Sequence, residues 1–219
     1  MLCLPVLLLT ASISGAANSL WLYEYGFHKY GVGQTTGLAE EELEKAATGL
    51  INYFNSDEEN ISLTVVKDGK PFELFNQWEV IHLRDVKGLI QLDYWVLLGT
   101  LIYTLGYTGI SLLWRRKKYW RQLARGVVGG SGITLGLVLA LGLGVLLNFD
   151  QLFLRFHLIS FTNELWQLDP AKDYLIMLFP QGFFYNAAIF CALAAAIGAV
   201  VLGGVAGGYL LSIRKKTAA

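Results

Sequence analysis

Three stretches of this chain run for about twenty residues or more without a charged side chain or a histidine: Val96 to Trp114, Gly126 to Asn148 and Phe183 to Ile213. At about 1.5 Å per helical residue, each can cross a hydrocarbon core of about 30 Å. Lipid offers no partner for exposed backbone groups, so the crossing segments must be helices. The composition agrees, with 54% hydrophobic residues and a positive mean hydropathy. A fourth uncharged stretch, Leu2 to Tyr23, contains TASISGAANS at residues 10–19, small residues of the kind found ahead of a signal-peptidase cut. It lacks the basic n-region of a signal peptide, and the expectation is a retained helix.

The formal net charge is zero, yet the signs are sorted along the chain. Residues 24–95 hold thirteen acids and six bases, and residues 149–182 hold four acids and two bases. The other nine bases lie in RRKKYWRQLAR (Arg115, Arg116, Lys117, Lys118, Arg121, Arg125) and in the tail (Arg214, Lys215, Lys216). Basic flanks face the cytoplasm, so the expected layout has four transmembrane helices, both termini inside, and a small mixed α+β extracellular cap. Its boundaries are 1–23 for the first span, 24–91 for the cap, 92–114 for the second span and 115–125 for a basic cytoplasmic loop. Residues 126–148 then form the third span, 149–182 a second extracellular segment at the membrane interface, 183–213 the fourth span and 214–219 a cytoplasmic tail. The basic loop is also compatible with contact to anionic lipid. Ionisable groups are absent from the span interiors, which argues against ion-coupled transport. Cys3 and Cys191 lie in apolar surroundings without metal or redox spacing and read as packing residues.

Within the cap, TTGLAEEELEKAATGLINYF places Leu43, Ala47, Leu50 and Phe54 on one helical stripe, with Glu40, Glu41 and Glu42 in the first turn where the helix dipole favours them. ISLTVVKDGKPFELF alternates around Asp68 and Gly69, a turn chemistry for a hairpin between 61–66 and 72–75. In WEVIHLRDVKGLIQLDYW, His82 and Asp85 are three apart on one helical face, a spacing at which the carboxylate can fix the imidazole tautomer. Trp78, Tyr94 and Trp95 also suit an interfacial aromatic belt. In the second outer segment, a helix over 149–163 sets Phe153, His157, Ser160, Phe161 and Glu164 on one face, with His157 among aromatics. Asp169 and Pro170 then read as the N-cap and first residue of a short helix ending near Pro180. His28, in YGFHKYGVG, reads as a surface residue of a glycine-containing loop.

HLRDVKGLI and FHLISFTNELWQLDPAKDYLIMLFPQGFF, set within four spans and an outer cap, resemble the bacterial lipoprotein intramolecular transacylase family across nearly the whole chain. That resemblance implies a four-helix membrane enzyme with an extracellular cap, acting on a diacylglyceryl lipoprotein in the cell membrane. It implies transfer of the sn-2 acyl chain to the α-amino group of the N-terminal cysteine, with catalytic histidines at His82 and His157. The chemistry is compatible with the residues. An amine attacking an ester must lose a proton, and the leaving alkoxide needs one, so two groups titrating near neutrality suit the task. Attack closes a ring of about eight atoms, and a confined pocket reduces the cost of ordering it. Candidates to line such a pocket are Trp78, Tyr94, Trp95, Phe153, Phe156, Phe161, Trp166, Phe183, Phe184 and Tyr185. Arg84, Arg155 and Asn163 are candidates for polarising the oxyanion, and Asp85 for supporting the imidazole. No cofactor, metal or nucleic acid enters this chemistry; the partners are the lipoprotein substrate and membrane lipid.

Two other readings stay open on the residues alone: a non-catalytic membrane protein whose cap binds a partner, and a metal-dependent membrane hydrolase using both histidines with Asp85. The charge layout makes a direct prediction. A topology reporter fused after Lys118 should read cytoplasmic and one inserted at Asp68 extracellular, and the opposite pattern would overturn the layout.

Overall fold

The computed structural model describes residues 3–218, without the side chains of residues 112, 114–118 and 215–218. The side chains of Arg115, Arg116, Lys117, Lys118, Lys215 and Lys216 thus lie outside the described residues. The elements are α1 (Cys3–Ala17), α2 (Leu20–Lys29), α3 (Val32–Thr36), α4 (Glu40–Phe54), β1 (Thr64–Lys67), β2 (Lys70–Glu73), α5 (Gln77–Ser160), α6 (Tyr174–Leu178) and α7 (Gln181–Ala218). The chain divides into two compact units, one of Met1–Ser14, Asp93–Leu146 and Ile189–Ala219, the other of Gly15–Leu92 and Leu147–Ala188.

The first unit is helical and apolar on its outside, with side chains such as Leu113, Leu139 and Val205 exposed. Its hydroxyls satisfy themselves locally: Thr100, Thr104 and Thr134 donate to the carbonyls of Val96, Thr100 and Gly130 at 2.7–2.9 Å. Small residues allow close helix approach. A Cβ on Gly198 would come within 2.9 Å of Leu8, and one on Gly203 within 2.9 Å of Ser131. Among the described residues three helical stretches are long and apolar enough to cross a membrane: Gln77–Ser111, Tyr119–Ser160 and Gln181–Arg214. A fourth arises only if α1 and α2, bent by 64°, count as one span.

That bend corrects the expectation of one helix over residues 2–23. Ser19 adopts extended backbone and its hydroxyl accepts from the Leu22 N–H, so a new helix starts there. α2 then runs through Lys29, which puts His28 in the last helical turn rather than in a loop; its side chain is exposed and meets Glu40 at 3.1 Å. The basic stretch 115–125 was expected as a loop, yet its backbone is helical within α5. Neither Gly nor Pro interrupts residues 111–125, and Arg, Lys, Gln, Leu and Ala are good helix formers. A straight helix would separate residues 82 and 157 by about 110 Å. Their rings are 6.4 Å apart, so the helical path of α5 turns back between them.

The second unit holds the cap. α4 buries Leu43, Ala47, Leu50 and Phe54 as the stripe requires and carries its three glutamates in the first turn. β1 and β2 pair antiparallel with Lys67 opposite Lys70, around Asp68 at φ 52° and Gly69 at φ 74°, a turn that glycine makes accessible. β1 starts three residues later than the expected 61–66 and β2 starts two residues earlier than the expected 72–75. Ahead of β1 the Glu73 carboxylate accepts from the Ser62 hydroxyl and the Leu63 N–H as well as from the Thr64 hydroxyl, and the Leu74 N–H bonds the Leu63 carbonyl. These elements and α6 share one core that includes Phe27, Leu50, Val65, Leu74, Leu83 and Leu178.

α5 begins at a capping box. Asn76 accepts from the N–H groups of Trp78 and Glu79, and the Glu79 carboxylate accepts from the Asn76 N–H at 2.8 Å. The other Glu79 oxygen accepts from the Leu175 N–H at 2.7 Å, fastening the start of α6 to the start of α5. Glu79 is 1% exposed, and burial raises its pKa against the lowering effect of those two bonds. The end of α5 also departs from expectation: the helix stops at Ser160, with Phe161 in extended backbone. Asp169 closes a turn, accepting from the Ala171 N–H, while Asp173 stands at the N-cap position of α6 with its carboxylate turned to the Asp169 N–H instead of to the helix. Replacing Glu79 by Ala strands the buried Leu175 N–H, at about 1–3 kcal/mol, and removes the partner of the partly buried Asn76 N–H. The thermal midpoint of Glu79→Ala in detergent should fall clearly below that of Glu73→Ala, and equal midpoints would remove Glu79 from the scaffold.

Candidate active site

His82 lies on the second turn of α5, ahead of the apolar run that begins at Val96, and its direction is set by the capping box below it. It is 6% exposed. The Phe161 ring meets it edge-on at 5.0 Å, and the His157 ring stacks at 6.4 Å with planes 28° apart. No hydrogen-bond partner for its Nδ1 is found among the described residues. Burial lowers its pKa to about 4, helped by the neighbouring His157 and opposed by Asp85, so the ring is neutral near pH 7.

His157 occupies the last turn of α5 and is 8% exposed. Its Nδ1 lies 2.7 Å from the Phe153 carbonyl. A carbonyl can only accept, so Nδ1 carries a hydrogen, and the tautomer this bond selects has its lone pair on Nε2. Around it stand Phe153 at 4.4 Å, Trp166 at 4.9 Å, Phe156 at 5.3 Å and Phe161 at 5.6 Å between ring centroids. Phe161 reaches both imidazoles because the helix ends there; its N–H still bonds the His157 carbonyl while its backbone turns extended.

Two imidazoles set among aromatic rings can accept and donate protons with little competition from water. The structure thus gathers His82, His157, Phe153, Phe156, Phe161 and Trp166, and sets Phe184 beside Phe153. Other expectations need correction. Asp85 accepts from the Asn163 amide at 2.8 Å, in place of an imidazole bond. Arg84, an oxyanion candidate by sequence, pairs with Glu59 at 3.1 Å on the exposed surface, because the residues two apart on a helix diverge by about 200°. Arg155 is exposed. Phe183 packs into the cap core against Tyr23 and Phe179, and Tyr185 sits edge-on to Phe149. Trp78 is largely exposed, and Tyr94 and Trp95 belong to the other compact unit. Among the described residues, no three His, Cys, Asp or Glu side chains gather as a metal set would.

Sequence reading missed two residues that hold this region. Glu79 was signalled by the N-x-x-E pattern of its capping box. Lys87 carried no such signal: it is buried, donates to the Glu58 carbonyl at 2.6 Å and the Ser56 hydroxyl at 3.2 Å, and lies 4.2 Å above the Tyr53 ring.

The chain was compared with known proteins. Residues 1–184 match the family model described as lipoprotein intramolecular transacylase Lit. No match was found among curated proteins. The in meso structure of Lit from Bacillus cereus is similar over 98% of this chain and 93% of that one, at 22% identity and TM-score 0.80. Two structures of that protein with a single histidine replaced, by arginine or by alanine, match 98% of this chain and 90% and 91% of theirs, each at 21% identity and TM-score 0.76. With the family model covering most of its length, the chain belongs to the lipoprotein intramolecular transacylase family and is an acyltransferase.

Proposed function

We propose that the chain moves the sn-2 acyl chain of a diacylglyceryl lipoprotein to the α-amino group of its N-terminal cysteine, leaving the lyso form. It does so with His82 and His157, at the extracellular interface of a bacterial cell membrane. The chain crosses that membrane four times, with α1 and α2 together as the first span and both termini cytoplasmic. The observation that carries this reading is the pair of buried imidazoles 6.4 Å apart inside one aromatic shell.

The roles of the two rings follow from their bonds. His157 has its Nδ1 hydrogen committed to the Phe153 carbonyl, so its Nε2 accepts the proton that the attacking amine must lose. His82 is neutral and brings one N–H and one lone pair; its N–H stabilises the oxyanion and then protonates the departing glyceryl oxygen. The amine nitrogen–acyl bond forms and the acyl–oxygen bond breaks. One proton leaves nitrogen and one arrives on oxygen; His157 hands its proton to the lone-pair nitrogen of His82 as the His82 N–H gives one up, so His82 is never left as an imidazolate and both rings end as they began. With Arg84 engaged by Glu59, this scheme needs no fixed cation in the pocket.

Substituting either histidine by Ala or Asn should lower N-acylation by about 10² to 10⁴, the usual effect of losing a general acid or base. His28→Ala should leave it unchanged. The check is mass spectrometry of lipoprotein N-termini from cells expressing each variant at equal membrane levels; wild-type conversion by His82→Ala or His157→Ala would sink the proposal.

Burial of His82 also ties stability to pH. Its folded pKa of about 4 lies below the unfolded value of 6.5, so between those limits the unfolded chain binds more protons. The contribution is complete above pH 6.5 and is lost as pH falls towards 4. His82→Phe, which keeps an aromatic ring but cannot titrate, should flatten the fall of the thermal midpoint between pH 6.5 and 4.5. An unchanged slope would show that His82 is not held neutral by the fold.

A further inference from the structure

Two rings from outside α5, Phe161 against both imidazoles and Trp166 against His157, belong to residues 161–173, a strap that contains neither helix nor strand. Its far end is well fastened. Asp173 accepts from the Asn76 amide at 2.9 Å and the Asp169 N–H at 2.7 Å, and Glu79 holds the Leu175 N–H. Its near end is held through Asn163, whose amide is used at both of its atoms: Nδ2 donates to Asp85 at 2.8 Å, and Oδ1 accepts from the Leu165 N–H at 3.0 Å. One bond ties the strap to α5 and the other shapes the turn leading to Trp166. Asp85 lies three residues beyond His82, so the tie is made to the helical face that presents the imidazole.

We propose that Asp85 is a positioning residue for the transacylation, acting through Asn163 to hold Phe161 and Trp166 against the two imidazoles. This rests on the reading of His82 and His157 as the proton-transfer groups. An ionised carboxylate accepting from an amide makes a stronger tie than two neutral groups do, which suits a strap with no ladder of its own. Ring placement matters because a shift of about 1 Å in a reacting geometry can cost about 10²-fold in rate. Asp85 has a second conceivable use, as a charge favouring protonated His82, and the variants below separate the two.

Purified full-length variants are compared on a diacylglyceryl lipopeptide in mixed micelles, measuring kcat, KM and thermal midpoint. Asn163→Asp opposes two carboxylates and Asp85→Ala removes the acceptor; each should lower kcat about 10²-fold with KM little changed. Asp85→Asn still offers an acceptor and should stay within about fivefold of wild type. The exchange D85N/N163D restores an amide opposite a carboxylate and should recover most of the loss. Wild-type kcat in both Asn163→Asp and Asp85→Ala, or no recovery in the exchange, overturns the proposal. So does Asp85→Asn falling as far as Asp85→Ala, which would make the charge the operative property. If Asn163→Asp does not accumulate, Asn163→Ser decides, since its side chain is too short to reach Asp85: the same loss supports the tie and wild-type kcat overturns it. His82→Ala and His157→Ala run alongside. Activity in those two defeats the underlying reading, whereas their inactivity beside an active Asn163→Asp defeats only the positioning role.

Discussion

Burial of the His82 ring is the constraint around which the cap is arranged. A charged imidazole in that enclosure would need a carboxylate beside it, yet the nearby Asp85 bonds Asn163 instead, and the ring is left neutral. His157 meets its burial by another route, donating its Nδ1 hydrogen to the Phe153 carbonyl, a bond that selects the tautomer with the lone pair on Nε2. Leaving His82 Nδ1 without a partner among the described residues costs about 1–3 kcal/mol, which stability alone gives no reason to retain. On the proposed mechanism the substrate provides the bond that the fold withholds.

Such an enclosure is only as good as the segments that close it, and α5 is where they are fastened. Its first three turns carry Glu79 for α6, Asp85 for the strap, and Arg84 and Lys87 for the loop between α4 and β1. Lys87 shows how a buried cation is accommodated without an acid: a carbonyl, a hydroxyl and the face of Tyr53 surround it. The exposed pair of Arg84 and Glu59 adds little energy by comparison, since water and salt screen it.

What the sequence disclosed was set by local periodicity. The stripe on α4 and the Asp68–Gly69 turn depend on neighbours within a few positions, and each is found where its pattern predicts, while three of the four apolar runs lie within the long helices α5 and α7. Spacing also placed His82 and Asp85 on one face of a helix. It could not name their partners, because Asn163 and His157 approach from about 75 residues further along the chain. For the same reason Arg84 was assigned to the oxyanion when its partner, Glu59, lies in another loop. The break at Ser19 was concealed by uniform hydrophobicity, since a serine within an apolar run reads equally as interior hydroxyl or as N-cap.

An intramolecular transfer also explains why so few polar groups suffice. Nucleophile and ester arrive on one molecule, so no second substrate has to be bound, and the cost left to the protein is ordering a ring of about eight atoms. Water is the competing nucleophile, and its attack on the same ester would release a free fatty acid. Exclusion of water therefore decides between aminolysis and hydrolysis, and on the proposed site that task falls to Phe153, Phe156, Phe161 and Trp166, the rings around His157. A cationic oxyanion partner would bring its hydration into the pocket. A neutral imidazole donates a hydrogen bond without doing so, which connects the depressed basicity of His82 to the selectivity of the reaction.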